Sequence, residues 1–179
     1  MRKFLTALAA LCFLAGCGSS SVKSDMSGYE GFEDTEHVFY DMSVKDAAEA
    51  MDEGKTFAVY FGFAKCPWCI AVLPILNETA KETGLTVGYV DTRKDPSWQS
   101  NIDIDDYDLF TERFGEYLDY DDNGILHLYT PHVFFIRDGK TVFEHSGSLE
   151  GHIAYEREMS QEEKEELREI YRQGFQALK

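Results

Sequence analysis

The sequence predicts an α/β domain with a mixed central sheet and helices on both faces. Three observations carry that reading. Residues 56–63 (TFAVYFGF) are rich in aromatic and β-branched side chains, the profile of a buried strand. A helical stretch over 70–83, stopped by Gly84, and a second strand over 85–91 follow it, giving a parallel βαβ start. Later, Asp138-Gly139-Lys140 reads as a tight turn between strands 133–137 and 141–145, which adds an antiparallel hairpin.

The helices are justified by caps and stripes. Ser43 with Asp46 predicts a capped helix through about Asp52, ending at Gly54. Leu109, Phe110, Phe114, Tyr117 and Leu118 recur at helical spacing within 105–118. Ser160 with Glu163 starts a closing helix whose apolar stripe is Leu167, Ile170, Tyr171, Phe175 and Leu178. Both stripes are read as core packed against the sheet. At 179 residues the chain is one domain plus short extras, and needs no disulfide framework to fold. The 44% hydrophobic and 14% aromatic content excludes a disordered chain. A formal net charge of −16 argues against nucleic acid and anionic headgroups as direct partners, since both are polyanions.

Arg2 and Lys3 precede an apolar run over 4–15, too short to span a bilayer but suited to the core of a secretory signal. The run ends in Leu14-Ala15-Gly16-Cys17, which resembles a bacterial lipobox; an ordinary signal peptide or an N-terminal membrane helix are the alternatives. The resemblance implies a signal over 1–16 that is removed, and a lipid on Cys17. Cleavage would take Arg2 and Lys3 but no acid, moving the charge from −16 to −18. Residues 17–36, rich in Gly and Ser, then read as a flexible tether, and 37–179 as the domain. The expected location is the extracytoplasmic face of a bacterial cell membrane, held there by the lipid.

Cys12 leaves with the signal and Cys17 is used by the lipid, so the domain keeps Cys66 and Cys69, spaced C-x-x-C. Such a pair is a redox dithiol, a structural disulfide or half a metal site. The loop it would close is too small to constrain much chain entropy. A zinc site wants four ligands, and no second C-x-x-C or H-x-x-x-H is present; His127, His132, His145 and His152 are scattered and read as surface or turn residues. No metal and no cofactor beyond the cysteine pair is therefore expected. Pro67 suits a first helical turn, which puts Cys66 at a helix N-terminus where a thiolate is stabilised. Cys69 would lie one turn further in, placed to resolve a mixed disulfide. Lys65, beside Cys66, could favour the anion further.

Strand, Cys66-Pro67-Trp68-Cys69, then a helix carrying Pro74 resembles the thioredoxin superfamily, and Thr130-Pro131 ahead of a strand is a second match. The resemblance covers roughly 37–179. It implies a thioredoxin-like fold in which Pro131 follows a cis bond and packs against the cysteines. Thr130 and Pro131 would line a substrate groove, with Trp68 giving apolar contact beside the reactive sulfur. Around these segments the chain also looks like bacteriocin transport accessory proteins. One position departs from the pattern: the buried acid that thioredoxins hold six residues before the first cysteine is here Tyr60.

Cys66 and Pro131 stand 65 positions apart, more than a compact member requires, and the excess is an acidic insertion over about 95–128. Within it Asp119-Tyr120-Asp121-Asp122-Asn123-Gly124 imitates the start of a calcium loop, but Thr130 stands where the closing Glu belongs, so a solvated turn is expected. The functional expectation is a membrane-anchored thiol–disulfide oxidoreductase. Its partners would be exported proteins with thiols or disulfides, and a redox partner protein. The alternative is a non-enzymatic accessory lipoprotein that grips a partner with the acidic insertion.

Overall fold

A computed structural model describes residues 22–93 and 107–179. The leader, Cys17 and the first part of the acidic insertion lie outside the described residues. The elements run β1 (Phe39–Asp41), α1 (Val44–Asp52), β2 (Phe57–Gly62), α2 (Pro67–Thr83), β3 (Val87–Asp91), α3 (Tyr107–Phe114), β4 (Asp119–Tyr120), β5 (Leu126–His127), β6 (His132–Arg137), β7 (Lys140–Ser146) and α4 (Gln161–Ala177). The main sheet has the order β1-β3-β2-β6-β7, with β3 parallel to both β1 and β2. β6 runs antiparallel to β2 and β7. This is the mixed sheet with helices on both faces that the sequence predicts.

β2 sits at the centre, and its near-continuous apolar run is what a strand covered on both faces requires. Alternation sends Ala58 and Tyr60 to the face of α2 and α4, and Val59 and Phe61 to the face of α1 and α3. On the second face Phe61, Phe114 and Phe134 interlock, with Phe61 and Phe134 perpendicular at 5.7 Å. On the first face α4 lies along α2, tied at the rim by Arg168–Glu78 at 2.8 Å and Arg172–Glu82 at 3.2 Å. Both capping boxes form, at Ser43 with Asp46 and Ser160 with Glu163.

Three expectations change. The described part of the tether, from residue 22, is packed on the domain: Ser24 N–H donates to Phe39 O, Asp41 N–H to Val22 O, and Met26 and Tyr29 are buried. The apolar residues Met26, Tyr29 and Phe32 bind this polar stretch to the core, so the domain begins earlier than residue 37. The helix expected over 105–118 is α3 and a 3₁₀ turn (Gly115–Tyr117), its expected start lying outside the described residues. His132 and His152 are buried rather than superficial, because each finds polar partners inside. The Asp119–Gly124 segment spans β4 and the turn of the β4–β5 hairpin, where the Asp121 carboxylate accepts from the N–H groups of Asn123 and Ile125, both at 2.9 Å.

Gly174 shows how closely α4 approaches the sheet. A Cβ there would lie 2.4 Å from the Phe135 ring, which is buried between sheet and helix. Alanine would gain up to about 1 kcal/mol of helix propensity, but overpacking a core typically costs about 1–3 kcal/mol. Gly174→Ala is therefore expected to lower the urea-unfolding midpoint with an unchanged m-value; a raised midpoint would show that Phe135 has room to yield.

Candidate active site

The site is assembled where β2 ends and α2 begins. Cys66 is the N-cap of α2, with extended backbone angles, and Pro67 is the first helical residue. Its Sγ accepts the N–H of Cys69 at 3.2 Å, taking the place of the oxygen that usually caps a helix. Cys66 is 4% exposed and Cys69 is fully buried, and both are free thiols.

Across the gap stands the loop before β6. The Thr130–Pro131 peptide bond is cis, as the resemblance implies, and Pro131 is buried. Thr130 O lies 3.6 Å from Cys66 Sγ, where the thiol can donate to it, and Thr130 Oγ1 lies 4.0 Å away. The loop is anchored by Gly147 N–H donating to Pro131 O at 2.7 Å.

The two cysteines are driven in opposite directions. The hydrogen bond from the Cys69 side chain, aided by the Cys69 N–H, the Thr130 side chain and the Trp68 N–H, outweighs burial and holds Cys66 down to about 7. Burial pushes the Cys69 thiol up, reinforced by its hydrogen bond to Cys66 and by the Cys66 charge. At neutral pH this leaves one sulfur ready to attack and one held as a thiol behind it.

Trp68 is half-buried and fixed by a loop that the sequence reading passed over. Its Nε1 donates to His152 O at 3.3 Å, and its ring meets Tyr155 edge-on at 5.5 Å. The loop is itself locked. His152 Nε2 donates to Arg157 O, leaving Nδ1 to accept from Ser148 Oγ at 2.8 Å. Arg157 forms a bidentate pair with Glu163 at the start of α4, both contacts at 2.6 Å. Tyr129, next to Thr130 in sequence, and Ile153 and Tyr155, in the loop that holds Trp68, are all exposed apolar side chains.

Lys65 is exposed and lines a groove of about 340 Å³ with Gly28, Glu30, Ala64, Pro67, Ile70 and Ala154. Hydrogen bonds, rather than this lysine, lead among the influences that lower Cys66. Arg93, in the turn that follows β3, lays its guanidinium 3.8 Å over the Phe63 ring and feels the fields of both cysteines. Nothing in the local sequence marks Arg93 as a neighbour of the site. His132, next to Pro131, bonds Glu144 at 2.6 Å and stacks on Phe134 at 4.1 Å, which places it among supports of the loop.

Tyr60 is fully buried in the same cluster as Cys69, and its hydroxyl eases the upward push on the Cys69 thiol. Tyr29 and Tyr89 surround Tyr60. The spacing of Met26, Tyr29 and Phe32, an apolar residue every third position in a polar stretch, was the available signal that this segment reaches the core.

No protein-family model and no curated protein matches the chain. Among solved structures it is similar to a protein with a thioredoxin fold at 14% identity, covering 62% of this chain and 83% of that one, with a TM-score of 0.45. It is likewise similar to thioredoxin O2 from Arabidopsis thaliana (18%, 63% and 85%, TM-score 0.39) and to Fasciola hepatica thioredoxin (22%, 63% and 86%, TM-score 0.36). Sheet order, a C-x-x-C at the start of α2 and a cis proline facing it together make the fold of this chain thioredoxin-like.

Proposed function

We propose that the protein is a thiol–disulfide oxidoreductase acting on other proteins through Cys66 and Cys69. The observation that carries this reading is the split between the two sulfurs: Cys66 at the helix cap, held at about 7, and Cys69 buried one turn behind it. In the forward direction the Cys66 thiolate attacks a substrate disulfide and forms a mixed disulfide, releasing one substrate thiol. Cys69 then attacks Cys66 Sγ, the substrate sulfur leaves, and the Cys66–Cys69 disulfide remains. The reverse sequence passes a disulfide to a substrate dithiol. Thr130, beside Cys66 Sγ, offers a backbone edge to an extended peptide, and Trp68 with Tyr155 offers apolar surface.

The proposed location is the outer face of a bacterial cell membrane, through lipid on Cys17. The lipobox-like Leu14-Ala15-Gly16-Cys17 supports it, and substrates would then be exported proteins with thiols or disulfides, recharged by a redox partner protein.

Cys66→Ser is expected to abolish insulin-disulfide reduction, while Cys69→Ser is expected to accumulate mixed disulfides that a thiol reductant releases. Retained activity in Cys66→Ser would remove Cys66 as nucleophile, whereas wild-type protein that reduces no insulin disulfide would leave the non-enzymatic accessory reading.

The pH dependence follows from the sign of the Cys66 shift. A depressed thiol is anionic above its midpoint, so iodoacetamide alkylation of Cys66 should level off above about pH 7 and fall about tenfold per unit below it. A rate still climbing past about pH 8.5, the range of an ordinary thiol, would contradict the assignment. Peptide mapping should find Cys69 unmodified throughout.

A further inference from the structure

Three phenols from three parts of the chain meet beneath Cys69. Tyr60 is fully buried, Tyr29 is 2% exposed and Tyr89 is 6% exposed. Tyr60 and Tyr89 are register partners on neighbouring strands, stacked at 5.7 Å, and Tyr29 meets Tyr89 edge-on at 6.1 Å. Their hydroxyls touch in series: Tyr29 donates to Tyr89 at 3.2 Å, and Tyr60 and Tyr29 lie 3.4 Å apart. Space for the first hydroxyl comes from Gly62, where a Cβ would sit 2.3 Å from Tyr60 Oη.

Each phenol has one hydrogen, which fixes the sense of the chain. With Tyr29 donating to Tyr89, Tyr29 accepts from Tyr60, and Tyr60 can accept from the Cys69 thiol once Cys66, held in the mixed disulfide, no longer takes that hydrogen. Every link then runs outward from the sulfur. At the far end Asp91 and Asp41 act on Tyr89, both only partly buried. The titratable groups facing Cys69 are Cys66, Tyr60, Tyr29, Tyr89, Tyr171 from α4 and the Arg93 guanidinium. Burial keeps all four phenols protonated. The Tyr171 hydroxyl is buried without a hydrogen-bond partner among the described residues, so it is no part of the series.

We propose that Tyr60, Tyr29 and Tyr89 form a hydroxyl relay that carries the Cys69 proton out of the core when Cys69 resolves the mixed disulfide. The inference rests on the redox reading of Cys66 and Cys69. In the step, the Cys69 proton passes to Tyr60 as the Tyr60 proton passes to Tyr29, the Tyr29 proton to Tyr89, and one proton leaves Tyr89 for solvent near Asp91 and Asp41. The Cys69 electron pair forms the S–S bond to Cys66. The bond from Cys66 to the substrate sulfur breaks, and that sulfur departs with its electron pair and takes a proton from water. The cysteine pair is oxidised by two electrons and the substrate disulfide is reduced by two. Until the S–S bond forms, the reversed chain lets Tyr60 donate to the Cys69 thiolate. Tyr60 is thus the group that touches the reacting sulfur, and Tyr29 and Tyr89 are positioning residues behind it.

The test is single-turnover resolution on the full chain, with thionitrobenzoate loaded on Cys66 and its release followed across pH in H₂O and D₂O. Wild-type protein that never takes up the label on Cys66, or never releases it, overturns the redox reading and the relay with it. Given normal release, Tyr60→Phe and Tyr29→Phe are expected to slow it on the order of a hundredfold at neutral pH, the lower end of what a positioned proton-transfer group contributes. The deficit should shrink as pH rises and hydroxide takes the proton directly. The solvent isotope effect should change in both variants, while the alkylation profile of Cys66 stays as in wild type. Tyr171→Phe should release label normally. A loss below about tenfold, one independent of pH, or one carried by Tyr171→Phe instead would overturn the relay.

Discussion

The hydrogen bond from the Cys69 N–H to the Cys66 sulfur sets the terms for the rest of the molecule. A helix start leaves its first N–H groups without partners, and most helices meet them with a side-chain oxygen. Here a sulfur does so, which makes one atom both a structural cap and a reactive centre. The helix favours that atom as an anion, through its free N–H groups and its dipole. The same helix carries the second cysteine down to the sheet, where burial works against ionisation. Two identical side chains three residues apart thereby acquire opposite characters, through environment alone.

The surrounding structure keeps that contrast in place. Proline at the first helical position removes an N–H that would otherwise compete for acceptors. The cis loop is pinned from behind by Gly147 and flanked by the His132–Glu144 pair, so Thr130 O is held toward the sulfur. Trp68 is held from the other side, by a loop fastened to α4 through Arg157 and Glu163. The core on both faces of β2 makes the platform rigid enough for contacts at these separations to matter.

What was legible in the sequence was local. Capping boxes at Ser43 and Ser160 are complete within four residues, and the Asp138-Gly139 turn within two, so short-range chemistry dictates them. Cys66, Cys69 and Pro131 were likewise readable, because each lies in a short motif whose order along the chain carries information. What escaped reading depends on residues distant in sequence: Tyr29 touches Tyr60 from 31 positions away, and Trp68 bonds His152 from 84. Burial of His132 and His152 belongs to the same class, since no local pattern states which strand or loop will cover an imidazole. Tyr60 was visible as a departure from the acid expected there, but its neighbours were not. The stretch 22–36 was misread because its composition is polar, while three spaced apolar residues decide where it goes.

That packed stretch bears on how far the domain can wander. If lipid sits on Cys17 and the chain is first bound to the sheet near Val22, only the residues between them are available as a leash. Whatever their conformation, five peptide units reach no more than about 18 Å, a fraction of the domain's own breadth. The domain's point of attachment would then stay within a thin layer above the lipid rather than the open space beyond it. Substrates would meet the domain while still close to the membrane from which they emerge.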